Sequence, residues 1–407
     1  MLAKKQESVI QSILNGDTIF LTGSPGTGKS FVLQVIMPKL FHKNVGITAT
    51  TGCAAINVGG TTIHSFFKLK PDTNVFKHIQ KLTSTKCDTY KKIRDLDLLI
   101  IDEVSMLDSI LCNTISDILK ACKNTNKVFG GIQMIFVGDF FQLPPVTNNF
   151  CFLSSSWIEL NPKIIELTEL IRQTDDKLFQ LILAKLRFGK LTQQIYDILI
   201  KNKEITFTDI KPTKLYPNNV DVDKINQKEI KKLLVNEPKS NMFVAYFTKD
   251  VNDNLKQKLN EYTIFLCVGS QVMITRNISI ENELVNGTRG VVVDITKSSC
   301  FVKTLNGLIH EINYYPQEYK NNYVKNLTIM FMPIKLAYAL TIHKSQGSTI
   351  DYLEIDLGSK IFEYGQGYTA LSRGKKLENI KIINLHRDSF KVHPNVIKWY
   401  QENSISI

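Results

Sequence analysis

Apolar positions in the first 160 residues follow two alternating patterns. The runs "DTIFLTG", "NVGITAT", "LDLLIID" and "IQMIFVGD" are short, rich in branched residues and bounded by turn residues, so they predict strands. Between them, "KSFVLQVIMPKLF" and "SMLDSILCNTISDILKAC" carry the three- and four-residue apolar spacing of amphipathic helices. Such alternation predicts a parallel sheet wrapped by helices. A second set follows the middle of the chain. It comprises "NPKIIELTEL", "YLEIDLG" and "NIKIINL" as strands, with helices at "DKLFQLILAKLRFG" and "GQGYTALSRGKK". The pattern therefore predicts two α/β domains.

Two segments break this rhythm. Residues 66–95 are lysine-rich and carry several aromatics. Residues 262–333 read as successive hairpin strands ("GSQVMITRN", "GVVVDIT", "CFVKTL", "GLIHEIN"), which predicts a small β-barrel inserted in the second α/β domain. No internal repeat, low-complexity tract or heptad run is present. The C-terminal "VIKWYQEN" predicts a closing helix with no assigned function.

Composition narrows the classes. A chain of 407 residues exceeds one ordinary core, and no apolar run is long enough to cross a bilayer. The seven Cys are scattered and never form a C-x-x-C pair, which argues against a zinc site or disulfide framework. With no secretory signal pattern, the expectation is a soluble, intracellular protein. The formal charge of +12 favours a polyanionic partner.

The chemistry begins at "GSPGTGKS", which meets G-x-x-x-x-G-K-[ST] between a strand and a helix. The loop Gly23, Ser24, Pro25, Gly26, Thr27, Gly28 can turn its N–H groups toward phosphates, because glycine adopts the required dihedrals freely. Lys29 is then expected at the β- and γ-phosphates and the Ser30 hydroxyl on Mg²⁺. "LLIIDEVSM" ends an apolar strand with Asp102, expected to hold the metal, and Glu103, expected to be the base for hydrolysis. Arg172 in "TELIRQTDD" and Arg373 in "GYTALSRGKK" are candidates for the cation that stabilises charge on the γ-phosphate.

Read together, "KKQ", the phosphate loop, "TATTGCAA", "TTIHSF", "IIDEVSM", "GDFFQLPP", "LIRQ", "NGTRG", "LTIHKSQGSTID" and "YTALSR" stand in one order over residues 4 to 390. That order and wording resemble superfamily one DNA helicases, in particular the petite-integration-frequency (PIF) family of the RecD-like branch. The resemblance implies two RecA-like P-loop NTPase domains, 1–162 and 163–261 with 334–407. It also implies a small wedge subdomain at 66–95 and an SH3-like β-barrel at 262–333. The implied activity is an ATP-dependent DNA helicase moving 5′-to-3′ on single-stranded DNA, using ATP and Mg²⁺. It would act as a monomer at single-strand/duplex junctions, in replication, repair and recombination. Gln6 would read adenine, Gln142 would sense the γ-phosphate and help position the attacking water, and Gly347 would lie near the phosphates. Arg172 and Arg373 would be two arginine fingers. Thr48, His64, Phe66, Pro144, Pro145, Thr341, His343 and Lys344 would face single-stranded DNA. Almost nothing precedes Gln6, so a regulatory N-terminal region is expected to be absent or removed.

Within "GDFFQLPP", the loop would deliver Gln142 to ATP and leave through two stiff prolines toward DNA. Phe140 and Phe141 would anchor it. Three alternatives stay open: a P-loop kinase or GTPase, a nucleotide-gated binding module, and an ATPase remodelling RNA or protein–DNA complexes without processive unwinding. The first leaves "GDFFQLPP" and "TIHKSQG" unexplained, and the second has no use for Glu103, Gln142 and the arginines.

Overall fold

A computed structural model describes residues 3–70, 73–169, 176–202, 212–236, 238–251, 253–276, 278–279, 282, 284, 288–304, 307–319, 327–350 and 352–403. The backbone divides into two compact units, Met1–Ile210 with Ile342–Ile407, and Lys211–Thr341.

The first unit holds a six-stranded sheet of β1 (Ile19–Gly23), β2 (Val45–Ala49), β3 (Thr61–Thr62), β4 (Leu98–Asp102), β5 (Gln133–Val137) and β6 (Lys163–Leu167), in the order β3-β2-β4-β5-β1-β6. Every pairing is parallel. β1, β4 and β5 are buried along their full lengths, as strands covered on both faces must be. On one face, Val9, Ile10 and Ile13 of helix Lys4–Leu14 and Val32, Leu33 and Ile36 of helix Lys29–Ile36 pack on Ile19, Leu21, Leu98, Ile100, Ile135 and Val137. Phe20 belongs to an aromatic cluster instead, with Phe140, Trp157 and Trp399 at centroid distances of 4.8, 5.5 and 5.8 Å.

The predicted helix after β4 forms as Ser109–Lys123. Asp108 caps it by accepting from Leu111 N at 2.7 Å, and Asn124 in the left-handed region ends it. The lysine-rich segment forms helices Val75–Thr85 and Asp88–Arg94. Leu353–Leu357 and Ile380–Leu385 pair in parallel, as two strands of the predicted second set.

One strand departs from the prediction. "NPKIIELTEL" was expected to open the second α/β domain, yet β6 adds to β1 from Ile19↔Lys163 to Gly23↔Leu167. The first sheet therefore runs past the expected boundary at 162. Gly23 makes room for this pairing, because a Cβ there would lie 2.4 Å from the Leu167 carbonyl oxygen.

The C-terminal segment forms the expected closing helix, Pro394–Glu402. Trp399 sits 5.4 Å from Phe140 and 5.2 Å from Phe152, while the Tyr400 hydroxyl pairs with Thr22 Oγ1 at 2.8 Å. This helix thus braces the residue immediately before the phosphate loop.

In the second unit, the four predicted hairpin segments supply Gln271–Ile274, Arg289–Ile295, Ser299–Thr304 and Ile309–Asn313. With Ile334–Leu336 they make a five-stranded antiparallel sheet around Val272, Ile274, Val292, Val302 and Ile312. Thr213–Tyr216 and Ala339–Thr341 pair in parallel in the same unit. Among the described residues, no helix is long and apolar enough to cross a membrane.

Candidate active site

The loop between β1 and helix Lys29–Ile36 has Gly26 and Gly28 at φ +89° and +83°, a region where a side chain is strained. Gly28 caps the helix with no side-chain acceptor, which leaves its first N–H groups available to an anion. Half-buried Lys29 folds back so that Nζ donates to Gly23 O at 2.6 Å and Ser24 O at 3.1 Å. Burial lowers the pKa of this ammonium, against the pull of the Asp139, Glu103 and Asp102 carboxylates. Thr27 Oγ1 donates to Ser24 O at 2.9 Å, which closes the loop on itself.

Across from the loop, β4 ends at buried Asp102. Burial first, and then the adjoining Glu103 carboxylate, push its pKa up to about 7. A buried carboxylate beside a second one favours a divalent cation, and hard oxygens from Asp102 and Ser30 suit Mg²⁺. Glu103 itself sits at φ +53°, ψ +45°, an uncommon posture for a non-glycine residue. Thr50 Oγ1 donates to its carbonyl at 2.8 Å, and its N–H donates to Asp102 Oδ1 at 2.9 Å. Gly138, at the end of β5, permits this arrangement because a Cβ there would lie 2.9 Å from Val104 N.

The loop after β5 is anchored in the expected way. Phe140 and Phe141 are buried, with Phe141 4.6 Å from Tyr400 and 5.0 Å from Phe188. Arg187 ties the loop's start. Its guanidinium bonds Asp139 Oδ1 at 3.1 Å and Glu166 Oε1 at 2.7 Å, and stands 4.9 Å from the Phe141 ring. Gln142 Oε1 accepts from Arg373 Nη2 at 3.2 Å. Arg373 is buried and also donates through Nε to Thr369 O at 2.9 Å. The helix bearing Thr369, Gln366–Leu371, starts at Gly365 (φ +67°), where a Cβ would lie 2.3 Å from the Gln142 carbonyl oxygen. A Gly365→Ala variant is expected to lose about 1–2 kcal/mol from backbone strain alone, more as Gln142 is displaced. Thermal melting alongside ATP turnover would check this, and unchanged values in both would refute the close fit.

These groups converge. Pro25, Gly26, Gly28, Lys29, Ser30, Phe31, Asp102, Glu103, Gln142, Gly347 and Arg373 line one cavity of about 280 Å³. Arg172, the other expected finger, lies outside the described residues. Gln6 does not line the cavity. It is buried beneath the phosphate loop, with Nε2 donating to Thr27 O at 3.4 Å.

The residues expected to face DNA divide. His64 and Lys344 are exposed and His343 is half-buried. Pro144 and Pro145 are buried, as is Thr341 in the second unit. Thr48 is fully buried and its hydroxyl donates to Ile100 O at 2.7 Å, so it fastens β2 to β4 and presents nothing to a ligand. Phe66 is also buried, packed edge-on against Phe67 with Lys92 Nζ 4.4 Å above its ring.

Three residues were missed in the sequence. Phe31 follows the phosphate-loop serine and lines the cavity. Gln346 stands inside the quoted "LTIHKSQGSTID", where its position beside Gly347 was a usable signal. Arg187 ends an amphipathic helix and reads as an ordinary solvated cation, so the sequence carried no signal for it.

Comparison with known proteins decides the family. A profile of PIF1-like helicases matches residues 1–204, and one of the DNA helicase Pif1 2B domain matches residues 255–295. The chain is 35% identical to the ATP-dependent DNA helicase PIF1 of Danio rerio, over 98% of this chain and 64% of that protein. The chain belongs to the PIF1-like helicase family. Its α/β fold with parallel sheets is that of solved Pif1 helicases. The crystal structure of Pif1 helicase from Candida albicans matches with a TM-score of 0.88 and 32% identity, over 99% of each chain. Pif1 helicase from Bacteroides in complex with ADP-AlF3 and ssDNA matches at 0.72 and 26%, over 99% of this chain and 97% of that one. The chain spans 64% of the length of the Danio rerio PIF1.

Proposed function

We propose that this chain is an ATP-dependent DNA helicase that translocates 5′-to-3′ on single-stranded DNA and unwinds duplexes. The observation that carries the reading is the convergence of Lys29, Glu103, Gln142 and Arg373 on one cavity. Lys29 and Arg373 would neutralise charge on the β- and γ-phosphates, and Glu103 would take a proton from the attacking water. Ser30 and Asp102 would hold Mg²⁺, which neutralises phosphate charge when bound. Gln142 would report the γ-phosphate to the loop that starts at Asp139. Arg172 would be the second finger and Gln6 would recognise the adenine edge.

The architecture we infer is two RecA-like halves, the first extended through Leu167, with a wedge at 66–95 and an SH3-like barrel at 262–333. Single-stranded DNA as the partner is supported by the net charge of +12, by exposed His64 and Lys344, and by the ssDNA in the Bacteroides Pif1 complex.

The test measures ATP turnover with and without single-stranded DNA, then strand separation on duplexes tailed at the 5′ or the 3′ end. Stimulated turnover and unwinding from the 5′ tail are expected, both abolished by Lys29→Ala. Turnover indifferent to DNA would sink the reading. DNA affinity should fall with salt by roughly 0.7 log units per log unit for each phosphate neutralised.

A further inference from the structure

Glu103 has its backbone fixed on both sides, but a base must also have its carboxylate aimed. Among the described residues, one side chain does this. Gln346 Nε2 donates to Glu103 Oε2 at 3.1 Å and lies 3.3 Å from Ser105 Oγ. A carboxylate can only accept, so the amide nitrogen must be the end facing Glu103. The opposite end, Gln346 Oε1, is then a buried acceptor with no partner among the described residues, on a residue only 1% exposed. A buried orphan acceptor is costly unless something fills it.

The local fold fixes Gln346 in this pose. It follows the short helix Ile342–Ser345, and its N–H donates to His343 O at 3.3 Å. Ser345 Oγ donates back to Ile342 O at 2.8 Å, and Ser348 Oγ to Ser345 O at 2.6 Å. Gly347, at φ +81°, then turns the chain along the cavity wall.

We propose that Gln346 aims the Glu103 carboxylate and accepts one hydrogen of the attacking water, so that the two side chains orient the nucleophile together. This rests on the hydrolase reading above. In the step, the water oxygen bonds to the γ-phosphorus as the bond from that phosphorus to the β–γ bridging oxygen breaks. The bridging oxygen keeps the electron pair and leaves with ADP. One water proton passes to Glu103 while the other stays hydrogen-bonded to Gln346 Oε1. The chemical need is geometric: a water held at one hydrogen can swing, and a water held at both presents its lone pair in one direction.

The test compares the full chain with Gln346→Ala and Glu103→Gln, singly and together, using single-turnover ATP hydrolysis and binding of a fluorescent ADP. Gln346→Ala should lower kcat roughly 30- to 100-fold, a part of the 10²–10⁴ that a positioned base supplies, with KM and ADP affinity nearly unchanged. It should also fail to trap ADP with aluminium fluoride. In the Glu103→Gln background the same change should cost about twofold or less, because the partner it acts through is gone. A merely structural residue would lose activity by the same factor in both backgrounds, and that result would overturn the proposal. So would a rise in KM with kcat intact. If Gln346→Ala melts early, Gln346→Met, of similar length without the amide, carries the same expectation. A parent chain with no ATP turnover would overturn the hydrolase reading and this proposal together. An active parent with an unaffected variant would overturn this proposal alone.

Discussion

An Arg373→Ala variant is expected to hydrolyse ATP at least about 10³-fold more slowly than the parent chain while binding ADP nearly as well. The guanidinium is buried and held by Thr369 O, Ser372 Oγ and Gln142 Oε1, so its direction is set before substrate arrives. Pre-set charge in a poorly hydrated site acts on the transition state without further reorganisation. Its target is the charge that develops as the terminal phosphate leaves, which ADP lacks. Arg373→Lys should not recover the rate, because a point charge cannot contact Gln142 and a phosphate oxygen through one planar fork. Single-turnover hydrolysis and an ADP titration decide the matter. A loss smaller than about tenfold would remove Arg373 from the chemistry.

The largest loss of stability is expected from Arg187→Ala, roughly 3–5 kcal/mol. Side-chain exposures are 5% for Arg187, 0% for Asp139 and 16% for Glu166, so removing the cation strands a carboxylate that water cannot reach. The planes of Phe141 and Phe188 beside the guanidinium would also lose their packing. Removing both charges should hurt less than removing one. The pair Arg187→Met with Asp139→Asn is therefore expected to recover part of the deficit. Urea unfolding of the three chains tests this. A single variant within about 1 kcal/mol of the parent would show that the ion pair holds nothing together.

How much of this was legible in the sequence depended on whether a feature is local. The phosphate loop was legible because its chemistry and its dihedral demands fall within eight consecutive residues. Asp102 and Glu103 were legible because a carboxylate pair closing an all-apolar strand stands downstream of a phosphate loop in the same chain; without that loop the pair reads equally as a helix cap. β6 joins a different sheet from the expected one because a short run rich in branched residues marks a strand and says nothing about which edge it joins. That information lies in the approach of Leu167 to a side-chain-free Gly23. Thr48 and Phe66 were assigned to DNA through their motif, yet a motif fixes residue type and leaves burial to tertiary packing. Arg187 and Gln346 depend on partners 48 and 243 positions away, and no spacing rule reaches that far.

The left-handed backbone at Glu103 has a consequence for how this site could drift. Asparagine or glycine would rest there more comfortably, and neither could take a proton from water. Heat tolerance and catalytic speed therefore favour different occupants of one position. A lineage pushed toward endurance alone would find an easy route to a sturdier, silent enzyme at residue 103.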